Sequence, residues 1–297
     1  MSLVATLVAA PKSRVLDPDF VKNLDALPWI TGTKTLSDEQ ALDLQIAETE
    51  QSEKTIEETI RQLCGNRPVD ILVQPQTNRR KQLFLADMDS TMIGQECIDE
   101  LAAELGLKDH IAAITERAMR GEIAFEPALK ERVALLKGLD LSVVDTVIRD
   151  RITLTEGART LIQTMRHHGT YCALVSGGFT VFTDRIAGML GFHENRANIL
   201  HHEDGILTGD VGLPILGRDA KRDRLLALRD EHSIPADATM AVGDGANDLA
   251  MLSEASIGIA WRAKPAVAEQ ANARIDHADM TALLYAQGYH QDDFVTG

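Results

Sequence analysis

The sequence predicts an α/β protein: a doubly wound parallel-sheet core with a helical cap, preceded by a smaller α+β unit. Three observations carry that expectation. From Lys81 onward, short apolar runs end in polar clusters and lead into amphipathic segments: LFLADMDST, YCALVSGGF, TMAVGDGAND and SIGIAW. Apolar strands alternating with helices imply a parallel sheet covered on both faces. Between Ile98 and about Ile152 the alternation gives way to helical pattern alone (IDELAAELG, HIAAITERAMRG, FEPALKERVALLKG), as expected of an insert above a strand end. Ahead of Lys81 the order of elements is different again.

In that leading part, Leu3 to Ala10 is a continuous apolar run read as a buried strand. It has the length of a signal segment's apolar stretch, but no Lys or Arg precedes it and Pro11-Lys12 follow. Asp17 to Leu27 reads as a helix capped by Asp17, Ile30 to Ile46 as a strand pair, Ser52 to Cys64 as an acidic helix and Val69 to Val73 as a closing strand. This β-α-β-β-α-β order is the ferredoxin-like arrangement. The polar stretch Pro75 to Lys81 (PQTNRRK) reads as a linker. The expected division is therefore residues 1–78 and 79–297, with the cap at about 96–153. Later, Asp204-Gly205 marks a hairpin turn inside ILHHEDGILTGDV.

Composition narrows the partners. The 297 residues carry 45 acidic and 30 basic side chains, a net charge of −15, and no run of five Lys/Arg breaks the negative balance. Phosphate-rich partners would be repelled, so neither nucleic acid nor a membrane surface is expected. No apolar stretch approaches the ~20 residues that span a bilayer. Cys64, Cys97 and Cys172 lie far apart without a C-x-x-C pair, which fits a reducing cytoplasm better than a disulfide framework or a zinc site. Cys97 and Cys172, in apolar contexts, read as small core residues. His167-His168 and His201-His202 read as surface pairs, and the acidic run Glu48 to Glu58 as a solvated helix face.

Four clusters fall at the predicted carboxyl ends of strands, where open parallel sheets bind ligands. Asp87-Met88-Asp89-Ser90-Thr91 follows Leu83–Ala86; a carboxylate and a nearby backbone carbonyl there could converge on a hard cation such as Mg²⁺, although Asp and Ser also favour plain capped turns. Val175-Ser176-Gly177-Gly178-Phe179 suits close backbone approach to a phosphate, and equally a glycine turn. Lys221 opens a helix in GRDAKRDRLL and by itself signals nothing. Gly243-Asp244-Gly245-Ala246-Asn247-Asp248 follows Thr239–Val242; Asp244 can face the same cation as Asp87, with Asp248 one turn on as a supporting group.

The four together are far more specific than any one. D-x-D-x-T, then Ser, then Lys, then G-D-x-x-x-D resembles the haloacid-dehalogenase-like (HAD-like) phosphatase superfamily. The finer strings DMDSTMIGQECIDELA, AMRGEIAFEPALKERVALL, VSGGF and VGDGANDLAM are similar to its phosphoserine phosphatases across residues 81–286. The resemblance implies Asp87 as nucleophile and Mg²⁺ ligand. Asp89 would be the general acid/base, lending its backbone carbonyl to the metal, and Asp244 the third ligand. It implies Ser176, Gly177 and Lys221 as phosphoryl contacts, Asn247 as a further substrate contact, and Gly178 and Asp248 as supporting residues. In the cap it implies Glu96 and Arg132 as grips on the ammonium and carboxylate of O-phospho-L-serine, with Met119 and Phe125 as apolar contacts. Met88 stands where Phe is common, on a side chain expected to face inward. Arg222-Asp223 replaces a small residue and Glu, leaving salt bridging there open.

The implied reaction is the last step of serine biosynthesis, through an aspartyl phosphate. Alternatives are a related phosphatase for another small phosphometabolite and an amino-acid-binding regulator without catalysis. A regulator needs no acid/base carboxylate, so intact Asp87, Asp89, Lys221 and Asp244 argue against it. The leading unit resembles ACT-like small-molecule-sensing domains, with no ligand motif matched residue by residue; a dimerising role that would make the protein a homodimer stands beside serine sensing.

Overall fold

The computed structural model describes residues 2–38, 40–119 and 122–296, the Met119 side chain excepted. Its first unit is one antiparallel sheet backed by two helices. β1 (Leu3–Ala9) is buried at all seven positions because it is central, pairing with β3 (Ala41–Ile46) on one side and β4 (Val69–Pro75) on the other. β2 (Ile30–Ser37) lies at the outer edge, beyond β3. α1 (Pro18–Asp25) starts where the Asp17 carboxylate accepts from the amides of Asp19 and Phe20. α2 (Glu53–Cys64) is capped by Ser52 and buries Ile56, Ile60 and Cys64, a four-residue spacing that lays one stripe on the sheet.

The second unit begins with β5 (Leu83–Ala86) and an irregular turn, Met88–Met92. The cap helices follow: α3 (Cys97–Glu104), α4 (Lys108–Met119), α5 (Phe125–Ala134) and α6 (Ser142–Asp150). The chain returns through α7 (Ala158–His167), β6 (Tyr171–Phe179), α8 (Thr180–Leu190) and β7 (Glu194–Asn198), then the antiparallel hairpin β8 (Leu200–Glu203) and β9 (Ile206–Val211). α9 (Ala220–His232), β10 (Thr239–Gly243), α10 (Leu249–Glu254), β11 (Ile257–Trp261), α11 (Pro265–Ala268), β12 (Ala273–Ile275) and α12 (Ala282–Ala286) complete it. The six-stranded sheet runs β12-β11-β10-β5-β6-β7, parallel throughout, and β5, β10 and β11 are buried at every position, as their unbroken apolar runs require. This is the α/β core expected, with an extra antiparallel sheet ahead of it. The hairpin turns at Asp204 and Gly205, both at positive φ.

The stretch expected as a linker is not slack. The Arg79 guanidinium donates to both Asp43 carboxylate oxygens at 2.7 and 2.9 Å, to the Thr6 hydroxyl and to the carbonyls of Tyr285 and Ala286. Lys81 is buried, and its ammonium donates to the carbonyls of Asn78 and Asp237 and to the Ser256 hydroxyl. Polar residues here reflect buried ionic and carbonyl bonding, a state that composition does not distinguish from solvation.

A second tie is Asp70 on β4. Its carboxylate is 1% exposed and accepts from the consecutive amides of Asp276, His277 and Ala278, which follow β12. Asp70→Ala should strand three amides near or below the surface. Losses of this kind cost about 2–4 kcal/mol in total. Urea unfolding should show that fall in stability, while Asp70→Asn, which keeps one acceptor oxygen, should lose less.

Candidate active site

β10, β5 and β6 are neighbours, so the residues that leave their carboxyl ends meet. The Asp87 amide still donates to the Val242 carbonyl at 3.1 Å, which extends the sheet one residue and aims this side chain over β10. The chain then turns sharply: Met88 is fully buried, as expected, and Ser90 sits at φ +55°, a left-handed conformation unusual outside glycine. Ser90 is held there by its amide on the Gln95 carbonyl and its hydroxyl on Glu96, 2.7 Å away.

Lys221, in the first turn of α9, reaches the centre. Its ammonium lies 2.7 Å from Asp87 Oδ2 and 2.5 Å from Asp248 Oδ1, and all three side chains are buried. Asp248 Oδ2 also accepts from the Gly245 amide at 3.0 Å, and Asp244 Oδ1 accepts from the Thr91 hydroxyl at 3.0 Å. One carboxylate oxygen each from Asp87, Asp244 and Asp248 lie within 4.8 Å of one another. These are hard oxygen donors with more negative charge than Lys221 can offset, the donor set that suits a divalent cation of the Mg²⁺ type. Asp248, expected behind the site, belongs to this triangle. The tight loop closed by its own amide on the Gly245 carbonyl brings it back to the strand end.

Electrostatics follow from burial. Burial and the Asp248 charge push the Asp87 carboxyl well above its ordinary value, against the pull of Lys221. Burial alone would lower the Lys221 ammonium, but Asp248 and Asp87 outweigh it and hold its pKa above the usual lysine value. Asp89 is raised to about 7 by burial and then by Glu96, opposed by hydrogen bonding from Cys97. Asp244 is raised to about 6, again by burial first and Asp248 second.

The carboxyl-terminal end of β6 borders Asp89. Ser176 is buried and its hydroxyl accepts from the Gly178 amide at 2.9 Å. A Cβ on Gly178 would fall 2.7 Å from Asp89 Oδ2, so only glycine leaves that carboxyl its room. Gly177 faces the cap, where Phe125 Cζ lies 3.7 Å from the position a Cβ would take. Phe125 is 39% exposed, an aromatic overhanging the end of β6. Glu96 is exposed beside Ser90, and Asn247 is exposed at the rim. Arg132 is half-buried, with Nε on the Ala128 carbonyl and Nη1 on the Thr115 hydroxyl. The Met119 side chain lies outside the described residues.

Sequence reasoning missed three supports. Cys97 is buried as expected, yet its amide donates to Asp89 Oδ1 at 3.1 Å. Thr155 donates to the Thr91 carbonyl at 2.6 Å, steadying the residue that holds Asp244. Asn198, at the end of β7, donates to the Gly177 carbonyl and accepts from the Leu216 amide. Cys97 lies within DMDSTMIGQECIDELA but acts through its backbone amide, which no side-chain pattern reveals; Thr155 and Asn198 lie outside the matched strings, and only the strand-end position of Asn198 could have hinted at a role. Arg222 pairs with Asp223 at 2.9 Å at the surface, away from this network.

Residues 84–253 match the family described as haloacid dehalogenase-like hydrolase. The chain belongs to that family. Among curated relatives, a phosphoserine phosphatase from Polaromonas sp. (strain JS666 / ATCC BAA-500) is 46% identical over 208 residues, 68% of this chain and 88% of that one. A phosphoserine phosphatase from Streptomyces coelicolor is 44% identical over 72% of this chain, which spans only 52% of the relative's length. The crystal structure of a HAD-family hydrolase from Salmonella enterica subsp. enterica serovar Typhi is similar over 98% of this chain and 99% of that one, with a TM-score of 0.86 and 30% identity. A phosphoserine phosphatase solved as a phospho-aspartyl intermediate analogue matches 69% of this chain and 98% of its own, with a TM-score of 0.64 and 41% identity.

Gly178→Ala follows as a test of the crowding at Asp89. Displacement of a catalytic group by a fraction of an ångström to 1 Å costs roughly a hundredfold in rate. Hydrolase turnover at this site should fall to that extent, with circular dichroism and thermal midpoint close to wild type.

Proposed function

We propose that the protein is a Mg²⁺-dependent phosphatase that hydrolyses O-phospho-L-serine to L-serine and phosphate. The observation that carries this reading is one strand-end turn bearing buried Asp87 and half-buried Asp89, with the Lys221 ammonium 2.7 Å from the first. Phosphate monoesters hydrolyse extremely slowly in water, and a covalent aspartyl phosphate divides the barrier. In the first step an Asp87 oxygen bonds to phosphorus as the bond to the serine oxygen breaks, and Asp89 gives that oxygen its proton. In the second, a water oxygen bonds to phosphorus, its proton passes to Asp89, and Asp87 is released. Asp89 must start protonated, which agrees with a carboxyl raised to about 7 by burial and Glu96. Lys221, Ser176 and the amides near Gly177 would face the phosphoryl oxygens. A divalent cation held by Asp87 and Asp244, with Asp248 or the Asp89 carbonyl, would when bound keep these carboxylates ionised and offset the phosphoryl charge.

The serine part requires an anion for the ammonium and a cation for the carboxylate. Glu96 beside the catalytic turn and Arg132 on α5 supply one of each sign. Burial lowers the Arg132 guanidinium while the Asp99 and Glu96 charges oppose it, so the three groups share one electrostatic neighbourhood. The curated relatives at 44–46% identity support the same substrate. In this reading residues 1–78 are an ACT-like domain, 79–297 the phosphatase and about 96–153 its cap. Three buried free thiols suit a cytoplasmic setting.

Given Mg²⁺ and a panel of phosphometabolites, the protein should release phosphate fastest from O-phospho-L-serine. Asp87→Asn should lower that turnover by roughly a thousandfold or more without unfolding the chain. Retention of most activity by Asp87→Asn would point to direct attack by water.

Chelation should abolish activity and Mg²⁺ restore it, whereas Ca²⁺, which favours looser shells of 6–8 oxygens, should support it poorly. Full turnover after exhaustive chelation would remove the metal from the reading.

A further inference from the structure

We propose that Thr115, on α4, is a positioning residue that sets the Arg132 fork for the substrate's carboxylate. The inference rests on the phosphoserine reading and adds a specificity determinant from a second cap helix. Arg132 stands in the last turn of α5, half-buried. Two of its five N–H groups are engaged: Nε by the Ala128 carbonyl at 3.3 Å, and Nη1 by Thr115 Oγ1 at 3.2 Å. Both acceptors are neutral oxygens. Among the described residues no carboxylate comes within ion-pairing distance of Arg132, and Nη2 has no acceptor. The guanidinium is thus oriented without being neutralised, the condition under which it keeps its attraction for an incoming carboxylate.

The Thr115 hydroxyl has one proton, and that proton is committed to the Ile111 carbonyl at 3.1 Å, one turn back in the same helix. Its oxygen can therefore present only lone pairs to Arg132, and rotating away would break its own bond. Threonine often bonds back to the preceding turn with no further consequence. That accounts for the contact with Ile111, not for the contact with Arg132 on another helix. Because Arg132 is long and rotamer-rich, the contact with Thr115 removes freedom that substrate binding would otherwise have to remove.

The test compares Thr115→Val, which keeps the shape and deletes the hydroxyl, with Thr115→Ser, which keeps it. Steady-state kinetics on the full chain with Mg²⁺ would use O-phospho-L-serine and p-nitrophenyl phosphate, which has no carboxylate. A lost hydrogen bond of this kind corresponds to roughly three- to tenfold in affinity. Thr115→Val should raise KM for phosphoserine by that factor with kcat nearly kept, lowering the ratio of phosphoserine to p-nitrophenyl phosphate efficiency equally. Thr115→Ser should restore most of the ratio. In an Arg132→Ala background, Thr115→Val should lower the ratio no further. A wild-type KM in Thr115→Val, parallel losses on both substrates, or the same extra loss without Arg132 would each overturn the proposal. Wild-type protein that hydrolyses p-nitrophenyl phosphate but not phosphoserine would instead overturn the substrate reading beneath it.

Discussion

Lys221 buried between Asp87 and Asp248 is the constraint around which the core is arranged. Three charged side chains withdrawn from water are tolerable only when each is paired and hydrogen-bonded, since an unpaired one costs several kcal/mol. The pairing draws together the end of β5, the start of α9 and the loop before α10. It also dictates nearby glycine: a Cβ on Gly243 would lie 2.3 Å from the Asp248 carboxyl carbon. The same packing recurs under β11, where a Cβ on Gly258 would fall 2.0 Å from the Leu252 carbonyl oxygen. Site geometry and core packing are therefore one problem, and changes at these glycines act on both.

The cap adds a second charge pattern on top of the first. Below, carboxylates exceed cations around Asp87, which suits a metal; above, Glu96 and Arg132 present opposite signs at the mouth. Phe125 lies over Gly177, its ring 39% exposed and within van der Waals reach of the end of β6. One turn serves both levels, because Ser90 at positive φ carries the backbone from Asp89 toward Glu96 and bonds the latter's carboxylate.

Much of this was legible because strand ends in a parallel sheet are also ligand positions. Apolar runs located the strands, and polar clusters after them located Asp87, Ser176 and Asp244. What composition and spacing could not convey is which polar residues are buried. Lys221 looks like any helix-surface lysine until Asp248 is found opposite it. Arg79 and Lys81 sit in a stretch polar enough for a linker, yet their charges point into a junction. Asn198 and Thr115 belong to no motif, and their importance comes from the atoms they touch across elements distant in sequence. Asp248 reads as a supporting residue by helical spacing; the closed loop at Gly245 sets one of its carboxylate oxygens within 4.8 Å of those of Asp87 and Asp244, a proximity that spacing alone does not convey.

The grip of Asp70 on three successive amides, with Gln74 and Arg79 on the Ala286 carbonyl, also bears on how such proteins diversify. The closing stretch of the parallel-sheet unit obtains hydrogen-bond partners from a sheet encoded at the opposite end of the chain. That sheet is therefore no interchangeable appendage. A lineage that shed or exchanged it would have to supply new acceptors for those amides and a new donor for that carbonyl at the same time. Because the partners are backbone groups, most side-chain changes at Asp276, His277, Ala278 or Ala286 leave these bonds in place, whereas a single change at Asp70 removes the acceptor of three amides at once.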